Sequence, residues 1–414
     1  MTAMEGRIIT GLDIGTTKIC AVIVKEDMDG TLNVVGIGSS PSYGLRKGVV
    51  VNIDKTVTAI KTAVAEAEQM AGLEVESVFV GIAGDHIRSI NSKGMVGVSR
   101  DDHEITPEDV ERAINAAKAL ALPIDREIIH VIPQEFIVDD QDGIADPVGM
   151  SGVRLEVEVH IVTVAVTSAQ NIVRSVQRAG YDVEEIVLEP LASSLAVLDD
   201  DERTLGVALI DIGGGTSDIA MFFDGHIQHT SVVALGGQHV TNDIAIGLRT
   251  PPDQAESIKL KYGTASRRNL VESDTIMVPG VGGRPARTIS KSVLVDIVAP
   301  RMEEILTLAY QKMKKSDLLE LMAAGAVITG GAALLEGTAD LAEEIWGIPV
   351  RLGVPKHLGG LTDSVKSPIY STAVGLCLYA PQYHQEGDSL SDGQNEVMWD
   401  DVLGSFKNFF KRFF

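Results

Sequence analysis

Cysteine is scarce in this sequence. Cys20 and Cys377 are its two cysteines among 414 residues, and each lies in an apolar stretch far from the other along the chain. A disulfide framework or a cysteine metal site needs several suitably spaced cysteines, so neither is expected. The two thiols are instead predicted to be buried, in a protein of a reducing compartment.

Positive charge is also in short supply. The chain carries 35 Lys and Arg against 58 Asp and Glu, which gives a formal net charge of −23 at pH 7. Contacts to the phosphates of DNA or RNA need a basic surface, so nucleic acid is not expected as a partner. The hydrophobic content of 45% is that of a folded protein, and the length suggests about two to four domains or subdomains.

Long apolar runs are missing. The N-terminus, MTAMEGRIITGLDIG, has no basic region followed by an apolar core, as a secretion signal has. The chain also has no run of about 18 apolar residues, which a bilayer-spanning helix requires. We therefore expect a cytoplasmic protein, whose contact with a membrane would be made from the side.

One strand-loop-strand unit occurs twice in the sequence. In its first copy a strand ends at Asp13, a Gly-Thr turn follows, and a second strand covers about Ile19 to Lys25. An Asp-Gly hairpin turn then leads into a third strand. The segment LGVALIDIGGGTSDIAMFFDGHIQHTSVVALGG (205–237) repeats this plan. The pattern predicts an internal duplication of a β-meander.

Each copy places Asp-Ile-Gly at the end of its first strand. The backbone amides of such a turn can point into one concavity and bind an anion, and glycine allows close approach to the main chain. A single glycine-rich hairpin is in most proteins only a turn, but two copies with Asp at the same offset favour a pair of loops that grip a polyphosphate. The predicted phosphate contacts are Asp13, Gly15, Thr16, Thr17, Lys18, Asp211, Gly213, Gly214, Gly215, Thr216 and Asp218.

Carboxylates beside phosphate repel it unless a divalent cation lies between them. Magnesium keeps several of its waters, so Asp13 and Asp211 are predicted to hold it through water. The predicted ligand is therefore a nucleotide with magnesium. The loops match neither a Walker A motif, because G-x-x-x-x-G-K-[ST] is absent, nor a Rossmann fingerprint, because a strand and not a helix follows each one.

Three further segments fit a nucleotide cleft. AAGAVITGGAALLEG predicts a buried strand that ends at Gly330 and Gly331, where the backbone can approach a nucleoside. AESIKLKYG places Glu256 and Lys259 on one helical face, as a ribose contact needs, although a solvated i, i+3 pair explains the spacing equally well. LEPLASSLAVL predicts a helix with Glu189 at its positive end, where it is a candidate for positioning water.

These motifs, in this order, resemble the actin/Hsp70/sugar-kinase superfamily. Within it, LDIGTTK (12–18), DIGGGTSD (211–218) and ITGGAALLEG (328–337) resemble the FtsA family of bacterial actin-like division proteins, and the resemblance covers essentially the whole chain. It implies an α/β, duplicated actin-like (ribonuclease H-like) fold of two domains, each with an added subdomain, followed by a C-terminal amphipathic helix. It also implies ATP as the nucleotide, with slow or absent hydrolysis, so an assembly protein is expected and not an enzyme.

An inserted segment separates this family from its relatives. It includes ITPEDVERAINAAKA, which predicts a helix with a Thr cap and Asp109 at the third helical position. Residues 133–162 resemble the signature of the subdomain that the family carries in a relocated position compared with actin, which implies head-to-tail self-assembly. The expected divisions are 1–83, 166–200 and 362–380 (subdomain 1A), 84–165 (inserted subdomain 1C), 201–240 and 322–361 (2A), 241–321 (2B), 381–398 (flexible linker) and 399–414 (membrane-targeting helix).

The resemblance also implies partners. The domain after the second phosphate loop receives the C-terminal tail of FtsZ, the tubulin-like ring protein, in this family. The long helix predicted from VLVDIVAPRMEEILTLAYQKMKKSD would supply contacts, for which the candidates are Arg301, Glu304 and Lys312, with Lys314 and Lys315 beside them. Charged helix faces are in most proteins only solvated. Later division proteins are further implied partners.

The last residues form a distinct pattern. After a polar tether, apolar side chains recur at steps of three and four, which places them on one helical face. A helix docked on the protein's own core is the alternative, but the tether, the phenylalanines and the terminal positive charge favour a helix lying in the headgroup layer of an anionic membrane. The residues concerned are Trp399, Val402, Leu403, Phe406, Phe409, Phe410 and Phe413, with Lys407, Lys411 and Arg412 as the basic ones.

The sequence therefore predicts an ATP- and magnesium-binding protein that polymerises and anchors FtsZ filaments to the cytoplasmic face of the inner membrane at the division site. A small-molecule kinase of the same superfamily is the first alternative, although no motif clearly supplies its catalytic Asp. An actin-like scaffold of a pilus or secretion system is the second. An Hsp70-like chaperone is excluded because no substrate-binding domain follows the predicted fold.

Overall fold

The structure is a computed structural model that describes residues 6–99, 102–268 and 274–388, with the backbone alone for 382–388. The chain starts with the predicted meander and then adds a hairpin, a helix and a fourth long strand. These elements are β1 (Ile8–Ile14), β2 (Lys18–Glu26), β3 (Leu32–Pro41), β4 (Leu45–Arg46), β5 (Val49–Val50), α1 (Ile53–Ala71) and β6 (Ser77–Ile82). β1 and β2 are covered on both faces, which explains their near-continuous apolar sequence.

The inserted segment folds as an antiparallel sheet covered by one helix. Its elements are β7 (Arg88–Gly97), α2 (Pro107–Lys118), β8 (Arg126–Val138), β9 (Gln141–Ile144) and β10 (Arg154–Ala165), with strand order β7-β10-β8-β9. Thr106 caps α2, and the Asp109 side chain accepts a hydrogen bond from the Thr106 backbone at 3.0 Å. The predicted capping box is confirmed, and the helix buries Val110, Ala113 and Ile114 against the sheet.

The chain then completes the first large sheet. It continues with α3 (Val166–Ala179), β11 (Asp182–Leu188), α4 (Glu189–Val197) and α5 (Asp200–Leu205). β6 lies parallel to β1, and β11 lies parallel to β6. α1 and α3 cover one face of this sheet, because their apolar residues belong to the same core cluster as β1 and β6.

The second half repeats the opening meander and adds a helical region. Its elements are β12 (Val207–Ile212), β13 (Ser217–Phe223), β14 (His226–Val233), α6 (Gly237–Gly247), α7 (Pro252–Tyr262), β15 (Thr275–Val278), β16 (Arg287–Ser290), α8 (Lys291–Lys314), β17 (Ala326–Thr329), α9 (Thr338–Trp346) and β18 (Val350–Leu352). The sheet order is β14-β13-β12-β17-β18. The pairings of β12 with β13 and of β13 with β14 match those of β1, β2 and β3, which confirms the duplication.

The chain ends its described part in the first domain, with β19 (Gly359–Gly360), α10 (Thr362–Val365) and α11 (Ser371–Asp388). Two expected boundaries shift. Subdomain 2A was expected to extend to residue 361, but β19 pairs with β3, so the chain has already returned to the first sheet. The sequence does not reveal this strand, because two residues are too few to show a periodic pattern. Residues 381–388, expected in the flexible linker, continue α11, because extending an established helix costs far less than starting one.

One core layer joins the two sheets. α4 and α11 lie between them, and their buried residues share a cluster with strands of both sheets: Val22 and Val34 from the first, Leu209 and Ala220 from the second, and Ala192, Ala196, Val374 and Leu376 from the helices. Cys20 and Cys377 belong to this layer, both as free thiols. Burial raises the pKa of each thiol to about 12, so both stay protonated.

Candidate functional site

A cleft of about 360 Å³ lies between the two domains, at the ends of β1 and β12. It brings together every residue predicted from the sequence to bind the nucleotide. From the first domain and α4 these are Asp13, Gly15, Thr16, Thr17, Lys18 and Glu189; from the second they are Asp211, Gly213, Gly214, Gly215, Thr216, Asp218, Glu256, Lys259, Gly330 and Gly331.

The two glycine-threonine loops have the same internal geometry. The Gly15 N–H donates to the carbonyl oxygen of Lys18, and the Gly213 N–H donates to that of Thr216, both at 3.0 Å. The loops also meet across the cleft. A Cβ added to Gly214 would lie 2.5 Å from Thr17 Oγ1, closer than real Cβ contacts come. Glycine is therefore required here for the two loops to approach each other.

Carboxylates cluster at the floor of the cleft. Asp211 Oδ2 accepts hydrogen bonds from the hydroxyls of Ser193 (2.8 Å) and Thr372 (3.3 Å). Burial raises the pKa of Asp13 to about 7, with the Lys18 ammonium opposing the rise and Asp211 adding to it. Burial likewise raises the pKa of Asp218 to about 7, although the Thr216 hydroxyl donates to it at 2.8 Å. The pKa of Asp211 is also raised, mainly by burial.

Glu189 is the first residue of α4 and lines the same cleft. Burial raises its pKa well above the usual range, and Asp13, Asp218 and Asp211 raise it further. Among the residues that the structure describes, no three His, Cys, Asp or Glu side chains are grouped so that they could hold a metal ion. The cleft thus concentrates carboxyl groups whose ionised forms are disfavoured by burial, and a cation that keeps its own waters fits this donor set.

Lys18 is anchored at the edge of the cleft. Its Nζ donates to the carbonyl oxygen of Ile369 at 2.7 Å and lies 4.5 Å from the centroid of the Tyr370 ring. The sequence analysis missed Ile369, which lies just before α11, Thr372 at the start of α11, and Ser193 of α4. The Ser/Thr-rich segment SPIYSTA was an available signal, because hydroxyl residues there precede a strongly apolar helix.

Glu256 and Lys259 face the cleft from α7. Lys259 Nζ lies 2.7 Å from Glu256 Oε2 and donates to Thr241 Oγ1 at 3.0 Å, and the Thr241 hydroxyl donates to Glu256. An adjoining cavity of about 290 Å³ has apolar walls from Val240, Leu260, Met302, Leu334 and Leu335. The site therefore has a polar part beside the loops and an apolar part beside α7.

Comparison with known proteins decides the family. Family models described as "Cell division protein FtsA" and "SHS2 domain inserted in FTSA" match residues 208–375 and 84–163. A "Cell division protein FtsA" of Pseudomonas aeruginosa is 50% identical over 390 residues, covering 94% of this chain and 93% of the relative. The chain belongs to the FtsA family of cell division proteins. The FtsA of Escherichia coli K12 is 40% identical over 394 residues, with 94% and 93% covered.

Solved structures show that this FtsA-family chain has the actin-like fold, as predicted. A chain of the "PilM-PilN type IV pilus biogenesis complex" superposes with a TM-score of 0.66 at 17% identity, covering 90% of this chain and 98% of that one. MreB5 of Spiroplasma citri bound to AMPPNP gives a TM-score of 0.58 at 15% identity, with 93% and 99% covered. At such identities the similarity concerns the fold alone. The match to a pilus protein therefore does not support the alternative of a pilus or secretion scaffold.

The residues proposed to contact FtsZ do not form one patch. Arg301 bonds to both carboxylate oxygens of Asp243 on α6, at 2.6 and 3.2 Å, and pairs with Glu304 on its own helix. Lys312 is exposed three turns further along α8, which is about 16 Å away. A contact through any of them stays a prediction.

The predicted membrane-binding residues, from Trp399 to Arg412 and Phe413, lie outside the described residues. Among the described residues, no helix has both the length and the apolar character needed to cross a membrane. The membrane anchor of this FtsA-family protein therefore stays a prediction from the sequence.

The buried carboxylates make a pH-dependent prediction. The folded pKa of Asp218, about 7, exceeds its ordinary value of 3.8, so folding takes up a proton between these pH values and the carboxylate costs stability as the pH rises through them. Asp218→Asn should raise the melting temperature of the nucleotide-free protein by roughly 2–4 °C at pH 8, and leave it nearly unchanged near pH 4. Differential scanning fluorimetry measures both.

Asp224→Asn is the matched control, because Asp224 is exposed at the turn after β13. It should not change the pH dependence. Equal melting temperatures of Asp218→Asn and the wild type at pH 8 would show that the ionised carboxylate of Asp218 does not destabilise the fold.

Proposed function

We propose that this protein binds ATP with magnesium in the cleft, assembles into filaments, and holds FtsZ filaments on the cytoplasmic face of the inner membrane. The observation that carries the nucleotide part is the meeting of the two phosphate loops over a carboxylate floor. Family membership supports the role in cell division, and the solved MreB5 structures with ADP and AMPPNP show that this fold accommodates adenine nucleotides.

The roles of the cleft residues follow from their chemistry. The backbone of both loops would cradle the phosphates, and Lys18 would add positive charge beside them. Asp13 and Asp211 would hold magnesium through water, which supplies charge neutralisation between carboxylates and phosphate. Glu256 and Lys259 would contact the ribose, and Gly330 and Gly331 the nucleoside.

Nucleotide would act by closing the cleft and favouring assembly. Glu189 would position a water. Burial and the neighbouring Asp13, Asp218 and Asp211 raise its pKa, which favours the protonated carboxyl group, and a bound cation would oppose that rise. Slow or absent hydrolysis is consistent with such a group. We therefore propose an assembly protein and not a metabolic enzyme.

Self-assembly would use the inserted subdomain, residues 84–165, and FtsZ would bind the region 241–321. Membrane binding would use the helix 399–414. One interfacial helix binds reversibly, because it buries each side chain only in part and must be ordered from a free tail. A filament carries many such helices, so polymerisation would strengthen attachment through effective concentration, and the assembled surface would recruit later division proteins.

Co-sedimentation with anionic liposomes tests the anchor. With ATP and magnesium, the full chain should pellet with the lipid, and a version ending before Trp399 should pellet at least about tenfold less, because it lacks the apolar face and the basic residues. Liposomes of uncharged lipid should retain less of the full chain.

The truncated protein must bind ATP as the full chain does, which serves as the folding control. Equal pelleting of both chains, or of neither, would contradict the membrane anchor. Neither result would bear on whether the cleft binds a nucleotide.

A further inference from the structure

The inserted subdomain is built into the first domain through its apolar core. Ile87, Ile129, Val162 and Val164 lie at the base of its sheet and belong to the cluster that contains β1, β6 and α1. Burial of these side chains makes the base rigid. The insertion therefore moves with the first domain.

The same subdomain reaches the second domain through polar side chains, all directed at the edge strand β14. The Ser89 hydroxyl donates to the carbonyl oxygen of Thr230 at 3.0 Å, and the Asn91 amide donates to that of Gln228 at 3.4 Å. His160, buried and paired across strands with Asn91, lies 3.1 Å from Thr230 Oγ1. We call these contacts, with those of Gln134 below, the β14 seam.

Gln134 contributes the strongest part of the seam. Its buried amide donates to the carbonyl oxygen of Ile227 at 2.8 Å and to the side-chain oxygen of Gln228 at 2.9 Å. Gln134 is skipped in the pairing of β8 with β10, and Gln228 is skipped in the pairing of β13 with β14. Each strand thus carries a β-bulge, which re-aims one side chain, and the two bulged residues meet across the seam.

β14 also leads directly to the nucleotide cleft. The residues after it form the turn into α6, where the Gly237 N–H donates to the carbonyl oxygen of Gly213 at 2.9 Å and the Gln238 N–H donates to that of Gly214 at 2.8 Å. These carbonyls belong to the second phosphate loop. β14 therefore contacts the insertion, and the start of α6, which follows it, is bonded to the loop that lines the cleft.

The seam is suited to opening and closing. It borders a cavity of about 190 Å³ lined mainly by polar groups, among them Ser89, Asn91, His160, His229 and Ser316. Polar groups that separate can bond to water instead, so breaking such contacts costs less than separating an apolar interface of the same size.

We propose that the β14 seam is a latch that couples closure of the nucleotide cleft to the position of the inserted subdomain. The coupling rests on the proposed nucleotide site, whereas the latch itself does not. With the latch closed, the insertion and the second phosphate loop move together. With it open, the insertion stays with the first domain while the second phosphate loop can move apart from both.

Double electron–electron resonance between spin labels on the two sides of the seam tests this. Ile124 of the insertion and Ile246 of α6 are well exposed, and the native cysteines are buried, so Ile124→Cys with Ile246→Cys gives selective labelling. In the otherwise unchanged protein, the closed latch should hold one short distance with or without ATP and magnesium. In Ser89→Ala with Asn91→Ala the separated population should rise at least about tenfold without nucleotide, and ATP with magnesium should shift the distribution back toward the short distance, because closure of the cleft draws the second phosphate loop toward the first domain and its insertion.

Ser92→Ala is the matched control. Ser92 directly follows Asn91 on β7 but faces the other side of the strand, where its hydroxyl donates to the carbonyl oxygen of Ala117 at 2.9 Å within the insertion. The distance distribution of the Ser92→Ala variant should match that of the unchanged protein. Gln134→Ala, from β8, is a second variant that should open the seam from the other strand.

Distance distributions of both seam variants equal to that of the unchanged protein, without nucleotide, would overturn the latch. A seam that opens in the variants while ATP with magnesium leaves their distances unchanged would overturn the coupling. If the unchanged protein binds no ATP in a separate titration, the proposed nucleotide function fails, and the nucleotide-free distributions alone decide on the latch.

Discussion

Gly375→Ala is expected to lower the free energy of unfolding by about 2–4 kcal/mol, because the added methyl group would clash with backbone atoms. A Cβ at this position would lie 1.9 Å from the carbonyl oxygen of Ala192 and 2.3 Å from its carbonyl carbon. Both atoms belong to the backbone of α4, which cannot rotate away as a side chain can. Alanine's better helix propensity, about 1 kcal/mol, offsets only part of the cost.

The effect should reach both domains, since α4 and α11 form the layer between the two sheets. Urea unfolding, followed by tryptophan fluorescence and by circular dichroism, measures the loss. Gly247→Ala is the matched control: its Cβ would meet the flexible end of Ile297 at 2.7 Å, so the cost should stay below about 1 kcal/mol. A Gly375→Ala protein as stable as the wild type would show that the helices can separate freely.

Gly214→Ala is expected to weaken ATP binding by about ten- to a hundredfold while leaving the fold intact. The added Cβ would lie 2.5 Å from Thr17 Oγ1 and 2.6 Å from Thr17 Cγ2. Because threonine carries two heavy atoms on its Cβ, rotation about χ1 leaves one of them in the way. The two loops must then move apart, which removes the closed geometry on which the proposed phosphate binding depends.

Titration of a fluorescent ATP analogue with magnesium measures this loss. Thr17→Ala combined with Gly214→Ala is the rescue variant, because it removes both obstructing atoms and should recover most of the affinity that Thr17→Ala alone retains. If Gly214→Ala binds as the wild type does, the loops do not need their close approach. If the rescue fails, the clash is not with Thr17.

The meander, its duplication and the loop residues were predictable because their signals are local. A strand that ends in Asp-Ile-Gly and turns into another strand is visible in a few residues, and its second copy removes the ambiguity of the first. Convergence on one cleft then followed from the duplication, because two facing loops could grip one polyphosphate, and the structure places all sixteen proposed cleft residues there.

What could not be predicted depends on distant parts of the chain. Ser193 and Thr372 donate hydrogen bonds to Asp211 from positions 18 and 161 residues away. The residues around Asp211 in the sequence carry no pattern that predicts these partners. The bulges at Gln134 and Gln228 depend on strand register, which is set by the partner strand. The two residues of β19 are too few for a periodic signal.

The position of α11 has a mechanical consequence. Its buried turns are wedged between the two sheets, and the chain continues from its far end toward the segment proposed to bind the membrane. Under that attachment, tension on a filament would enter each subunit at the joint between its domains, before it reached either sheet. A pull from the membrane would therefore act first on the helix that lies between the two halves of the molecule.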